Sequence, residues 1–209
     1  MTAPAAVTAA APGVVSRERD DGLLCRALGH AARGQIPPLP GALVALAATA
    51  VLLAAGIGAE HGVALFAPVV VLLLTGPAAG HAHDGRIDWL VPPIVRAIEY
   101  GYLAVLGFAQ GVRPPFIFVL LAVLAFHHHD IVYRARQGLR TPERAVLAGL
   151  GWEGRMLAAA FAGLFGHLPF AYASLAVYLG VVFAVASVRT WARTGRGDGV
   201  TIDREEGKA

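Results

Sequence analysis

Three histidines and an aspartate, His127-His128-His129-Asp130, close an apolar run that turns basic at Arg134 and Arg136. On a helix, His127, Asp130 and Arg134 stand at i, i+3 and i+7 and share one stripe, with His128 and His129 turned to other faces. A histidine with an acid three residues on can ligate a metal, or act as acid or base beside an orienting carboxylate. The H-x-H-D pattern occurs at 81–84 and again at 127–130, and Asp84 and Asp88 are spaced D-x-x-x-D. Hard cations take carboxylate and phosphate oxygens together, so these two acids can share Mg²⁺ with a diphosphate; the alternative is that they cap the following helix.

Arg96 and Glu99, three residues apart, also fall on one helix face. Either they bridge each other, or Arg96 binds phosphate with its fork while Glu99 orients it or a metal. Glu153 and Arg155, in "GWEGR", repeat the acid beside a base. The resulting assignment makes His127, Asp130 and Glu99 catalytic. Arg96, Arg134, Arg155, Tyr100 and Glu153 bind substrate, and Asp84, Asp88, Asp130 and Glu99 hold Mg²⁺. Zinc on the histidines is the less favoured metal, because histidine near a membrane surface is common without any ligand role.

Such groups need helices to hold them, and composition says in which solvent. Hydrophobic residues make up 56% and charged residues 15%, with a mean hydropathy of +0.61. These values belong to a bilayer protein. Windows near 39–59, 62–80, 90–110, 114–132, 150–167 and 168–189 are apolar enough to cross hydrocarbon,. The expected fold is therefore an all-α polytopic helical bundle of about six crossings. A short interfacial helix is expected ahead of it, over 22–35, where Arg26, His30 and Arg33 recur at helical spacing before "PPLP",. Residues 1–21 read as a disordered cytoplasmic tail, 22–195 as the membrane domain and 196–209 as a second cytoplasmic tail. An unpaired charge in hydrocarbon costs roughly 2.5–3.5 kcal/mol or more, so Arg96, Glu99, Glu153 and Arg155 must pair or meet water.

Arginines flank one set of loops, before the first window, at Arg86, at Arg134 to Arg144 and beyond Arg189, while the opposite loops carry only Arg113. Positive charge stays inside, which places both termini in the cytoplasm of a plasma-membrane protein and all the polar clusters on the cytoplasmic leaflet. The net charge of +3 then reflects topology and anionic head groups rather than nucleic acid, for which there is no groove-reading motif,. Cys25 is the sole cysteine, so no intrachain disulfide forms,.

The blocks "HAHDGRIDWLVPPIVRAIEY", "HHHDIVYRAR" and "GWEGRMLAAA" resemble an actinobacterial integral-membrane domain of unknown function. That domain sometimes shares a polypeptide with a CDP-alcohol phosphatidyltransferase or a nucleotidyltransferase. The resemblance covers about residues 22–193 and implies an association with phospholipid head-group chemistry, with a CDP-alcohol phosphatidyltransferase as possible partner. In general plan the chain also resembles the CDP-alcohol phosphotransferases. Their D-G-x-x-A-R element is interrupted here, however, since Asp84-Gly85 continues as Arg86-Ile87-Asp88-Trp89. Two functions follow as expectations. One is a Mg²⁺-dependent transferase acting on a CDP-alcohol or an isoprenyl diphosphate in a cytoplasm-facing polar cavity. The other is a non-catalytic membrane anchor or lipid-binding partner of a phospholipid-synthesis enzyme, in which the same charges form bridges between helices.

Overall fold

The computed structural model describes residues 18–56, 62–83, 85–137, 139 and 143–197. Among these residues the chain is helical, with no strand. The α-helices are α1 (Leu23–Ala31), α2 (Pro38–Gly56), α3 (Ala67–Thr75), α4 (Val91–Ala109), α5 (Pro114–Arg136), α6 (Glu143–Ala148), α7 (Gly151–Leu164) and α8 (Leu168–Gly197). Single 3-10 turns, Ala64–Phe66, Gly76–Gly80 and Asp88–Leu90, extend α3 at both ends and lead into α4.

Among the described residues four helices are long and apolar enough to cross a bilayer: Pro38–Gly56, Asp88–Ala109, Pro114–Arg136 and Leu168–Ala192. This corrects the expected six crossings. The second expected crossing is a shorter composite, Ala64–Gly80, in which Pro68 and Pro77 each start a new helical piece,. The fifth is α7, with 14 residues. At 1.5 Å per residue it spans about 21 Å, against roughly 30 Å of hydrocarbon. A hydropathy window scores both segments as crossings because it counts apolar residues and not helical rise. Both still pack along long neighbours. Gly41 lies against the Leu74 carbonyl and Gly56 against Ala64, so the composite runs antiparallel to α2. Arg155 lies beside Glu99, and Gly163 beside Gln110, so α7 runs parallel to α4.

The bundle core is filled by Ile98, Tyr102 and Leu103 of α4, Ile117, Leu120 and Leu124 of α5, Met156 of α7, and Tyr172 and Leu179 of α8. Large apolar side chains also point outward, among them Leu43, Val51, Phe118, Phe161, Phe170 and Val181. An exposed apolar girdle of this kind is what lipid solvates.

The expected short helix before the first crossing is present as α1. It is docked closely, with Gly29 against the backbone of Gly80 and Leu28 against Gly76; a side chain at 29 would collide with that main chain. Arg26 and His30 remain exposed on the other face, next to Leu23 and Leu24. Ahead of α1, Glu18–Asp21 form a folded strap in which Arg19 and Asp20 are 2% and 5% exposed. The boundary drawn after residue 21 between tail and bundle therefore falls inside packed structure.

Candidate functional site

Five stretches of chain converge where α1 caps the bundle: the strap, the end of α3 with its 3-10 turn, the first turns of α4, the last turns of α5 and the start of α7. At their centre is Arg155, buried at 1% exposure. Its Nε donates to Glu99 Oε1 at 2.6 Å and its Nη2 to Glu99 Oε2 at 3.2 Å, a forked grip on one carboxylate. Nη2 also donates to Asp20 Oδ2 at 2.8 Å, and Nη1 to the Gly149 carbonyl at 2.9 Å. One guanidinium thus serves two buried acids. Planar, delocalised and always charged, it is the side chain suited to that position.

Two histidines border the pair. His127 Nε2 lies 3.2 Å from Asp20 Oδ2, and its ring stacks on Phe183 at 3.6 Å between centroids. His128 Nε2 lies 3.7 Å from both Asp20 Oδ2 and Glu99 Oε2, while its Nδ1 meets the Tyr100 hydroxyl at 2.7 Å. With Nε2 as the donor atom of His127 facing Asp20, and the Tyr100 hydroxyl donating to His128 Nδ1, these contacts are hydrogen bonds of matched sense. Burial alone would raise the Asp20 carboxyl, but the Arg155 guanidinium, with His127 adding to it, holds it well below the usual carboxylate range,.

The strap is fastened along its whole length. Arg19 donates to the Thr75 carbonyl at 3.1 Å, meets His83 Nε2 at 3.2 Å and pairs with Asp21 at 2.9 Å. His83 Nδ1 is 2.6 Å from the His81 carbonyl, so the ring is a neutral acceptor for Arg19, and burial lowers its pKa accordingly. Trp152 Nε1 donates to Asp21 Oδ1 at 2.9 Å, and the Trp152 amide to the Asp20 carbonyl at 3.2 Å. Trp152 is fully buried and is a clamp, not the interfacial anchor its position suggests.

Several expected roles change. Arg96 makes no ion pair with Glu99; it donates to the Glu18 carbonyl at 2.8 Å, and among the described residues its Nε is buried without a hydrogen-bond partner. Asp130 turns away from His127 to pair with Arg134, and Ser187 donates to it at 3.3 Å. Helix geometry allows both spacings, and the pair formed is the i,i+4 one with Arg134, while His127 takes Asp20. Asp88 accepts the Gly85 amide at 3.1 Å, the turn-closing role weighed against metal binding. Asp84 lies outside the described residues. Glu153 accepts the amides of Gly22 at 3.0 Å and Cys25 at 3.2 Å, so it caps α1 across the chain instead of facing a ligand,. Among the described residues no three His, Cys, Asp or Glu side chains are grouped as a metal requires. Of the expected set, Glu99, Tyr100, His127 and Arg155 do come together. His128 and Asp20 were missed, the first because one stripe was drawn through His127 and Asp130, the second because "RERDD" reads as solvated charge. The acidic pair next to a helix start was the only available signal.

The Glu153 cap yields a direct test. Glu153→Gln removes the charge from the α1 N-terminus, which is worth about 0.3–1 kcal/mol for a helix end. The Cys25 thiol, buried and pushed up in pKa chiefly by that burial, should then alkylate faster in detergent while α4 to α8 stay folded. An unchanged rate would remove Glu153 as the cap.

The sequence pattern of a family of unknown function (DUF5941) matches residues 9–209. No curated protein and no solved structure matches the chain.

Proposed function

We propose that this chain, which belongs to the DUF5941 family of unknown function, is a non-catalytic, lipid-binding membrane partner of an enzyme that builds phospholipid head groups. The observation that supports this reading most is the Arg155 centre. Two of the acids assigned to a metal are held inside the chain, Glu99 by Arg155 and Asp130 by Arg134, and Asp20 shares Arg155 with Glu99. Such pairs give a bundle its register and lock a docked segment in place. The partner enzyme of this reading is a CDP-alcohol phosphatidyltransferase of an actinobacterial plasma membrane, after the resemblance of the three polar blocks.

The transferase reading keeps one favourable observation, the gathering of Glu99, Tyr100, His127 and Arg155. In that reading Mg²⁺ would compete with Arg155 for Glu99, and the substrate would be a CDP-alcohol or an isoprenyl diphosphate. Glu99→Gln and Asp130→Asn separate the two. As halves of buried pairs they should lose roughly 1–3 kcal/mol, read as a lower Tm in detergent. Mg²⁺ with CDP, pyrophosphate or geranylgeranyl diphosphate should leave the wild-type Tm in place. A Mg²⁺-dependent rise that disappears in Glu99→Gln would favour the transferase. Association with the partner is tested by co-purification with a CDP-alcohol phosphatidyltransferase in nanodiscs; no co-purification counts against the partner reading.

In the same proposal the arginine-bearing end and both termini face the cytoplasm. Arg86 and Arg113 are both exposed, so single cysteines there in a Cys25→Ser background report sidedness. In intact cells the impermeant thiol reagent should label position 113 and spare position 86. The reverse would invert the orientation.

A further inference from the structure

We infer that the strap Glu18–Asp21 occupies an anion site for a phosphate group, with the Asp20 carboxylate standing where the phosphate oxygens bind. The inference rests on the lipid-binding part of the proposed function and names its site. Three groups from two helices, Arg155 of α7 and His127 and His128 of α5, converge on one oxygen of Asp20, at 2.8, 3.2 and 3.7 Å. One guanidinium nitrogen, Arg155 Nη2, and two imidazoles around a single anionic oxygen form a cationic, donor-rich cradle of the kind that suits a phosphate oxygen,. The same strap engages the second guanidinium of this end: Arg96 donates to the Glu18 carbonyl, and among the described residues its Nε has no hydrogen-bond partner. A multidentate anion bound between the two guanidiniums would give that donor a partner. Withdrawal of four residues releases the Glu18 contact of Arg96 and the Asp20 contact of Arg155 Nη2 together, while Arg155 keeps Glu99 and the Gly149 carbonyl.

The strap is also built differently from the helix that follows it. Asp20 holds φ at +56°, a left-handed conformation that non-glycine residues keep only under constraint. Beyond it, α1 is fastened independently, by Glu153 on the Gly22 and Cys25 amides and by the contact of Gly29 with Gly80. The chain can therefore swing at Gly22 while α1 stays docked. Phosphate, with more acceptor oxygens and up to twice the charge of a carboxylate, is the ligand able to compete for Arg155. It reaches the site as the headgroup phosphate of an anionic lipid or as free phosphate.

Trp152 reports the exchange, because its indole is buried against Asp21. In a Trp89→Phe/Trp191→Phe background, short-chain phosphatidic acid, short-chain phosphatidylcholine and inorganic phosphate are titrated into detergent-purified protein. Trp152 emission and acrylamide quenching are read. Phosphatidic acid should expose Trp152. Asp20→Gly, which removes the competing carboxylate and suits the positive φ, should bind phosphatidic acid at least tenfold more tightly. Adding Arg155→Gln together with Glu99→Gln, which leaves no buried acid uncompensated, should abolish that gain in protein that keeps its cooperative melt. If Asp20→Gly does not fold, Asp20→Asn carries the same comparison. A response to phosphatidic acid alone assigns the site to a lipid headgroup, and an equal response to inorganic phosphate assigns it to free phosphate. No response to either in wild type and variant, or a gain that survives Arg155→Gln with Glu99→Gln, overturns the anion site. Co-purification with the phosphatidyltransferase, measured separately, would survive that failure and keep the partner role.

Discussion

Arg155→Met is expected to be the most damaging single substitution in the protein, at about 3–5 kcal/mol. This is the range for removing one partner of a buried ion pair and leaving its mate uncompensated. Here two mates are left, Glu99 at 0% exposure and Asp20 at 5%. Met fills much of the same volume, so the loss is electrostatic rather than a cavity. The measurement is thermal unfolding of detergent-purified protein, with Trp152 and Cys25 as local probes. The triple variant Asp20→Asn/Glu99→Gln/Arg155→Met should recover much of the loss, because neutral amides need no countercharge and interacting sites are non-additive. If Arg155→Met costs under about 1 kcal/mol, or the triple variant is worse than the single, the ion network does not hold this end of the bundle together. Acid gives a second readout with a defined sign. A carboxyl held below its unfolded pKa stabilises the fold above that value, about 3.9 for Asp, and the stabilisation is lost as pH falls through the folded pKa. The Asp20 contribution should accordingly be retained at pH 5 and lost on stronger acidification, and Asp20→Asn should flatten that part of the profile.

Gly151→Ala ranks next. Gly151 opens α7 at a φ of +64°, directly after Leu150 at +65°. Its missing Cβ leaves room for the Gly22 backbone and the Glu153 carboxylate. An alanine adds left-handed strain, of order 1–3 kcal/mol, and overpacking against backbone, typically about 1–3 kcal/mol. Because that backbone belongs to the strap and the start of α1, the damage should be local. Cys25 alkylation should accelerate by more than tenfold, and Trp152 should become quenchable, while the α4 to α8 core melts close to its usual temperature. If Cys25 stays protected at the wild-type rate, Gly151 is not the close contact that docks the N-terminal segment.

Helices apolar enough to cross a bilayer, the helical class, and the collection of polar groups at one end were legible without coordinates. Each follows from composition and from where apolar runs stop. Helix starts at Pro38, near Pro92 and at Pro114 were equally legible, since proline at a first turn is a local property. The crossing count was not. Whether 62–80 and 150–167 are long helices depends on helical rise, 3-10 pieces and positive-φ residues, none of which changes an average of hydropathy.

Partner choice was the least legible part. Spacing along one helix offered Arg96 to Glu99 and His127 to Asp130, and both pairings failed because segments from distant parts of the chain supplied better partners: Arg155 of α7 for Glu99, Asp20 of the strap for His127. Neighbours within one helix are set by its 3.6-residue period, whereas the partner of a buried charge is set by which helix ends pack together. For this protein the residue types required that every charge near the membrane be paired or wetted. Only the tertiary arrangement, by folding an acidic strap back over the bundle end, decided that Asp20 and Glu99 share one arginine. Packing, not local spacing, chooses among all the countercharges that a chain brings within reach.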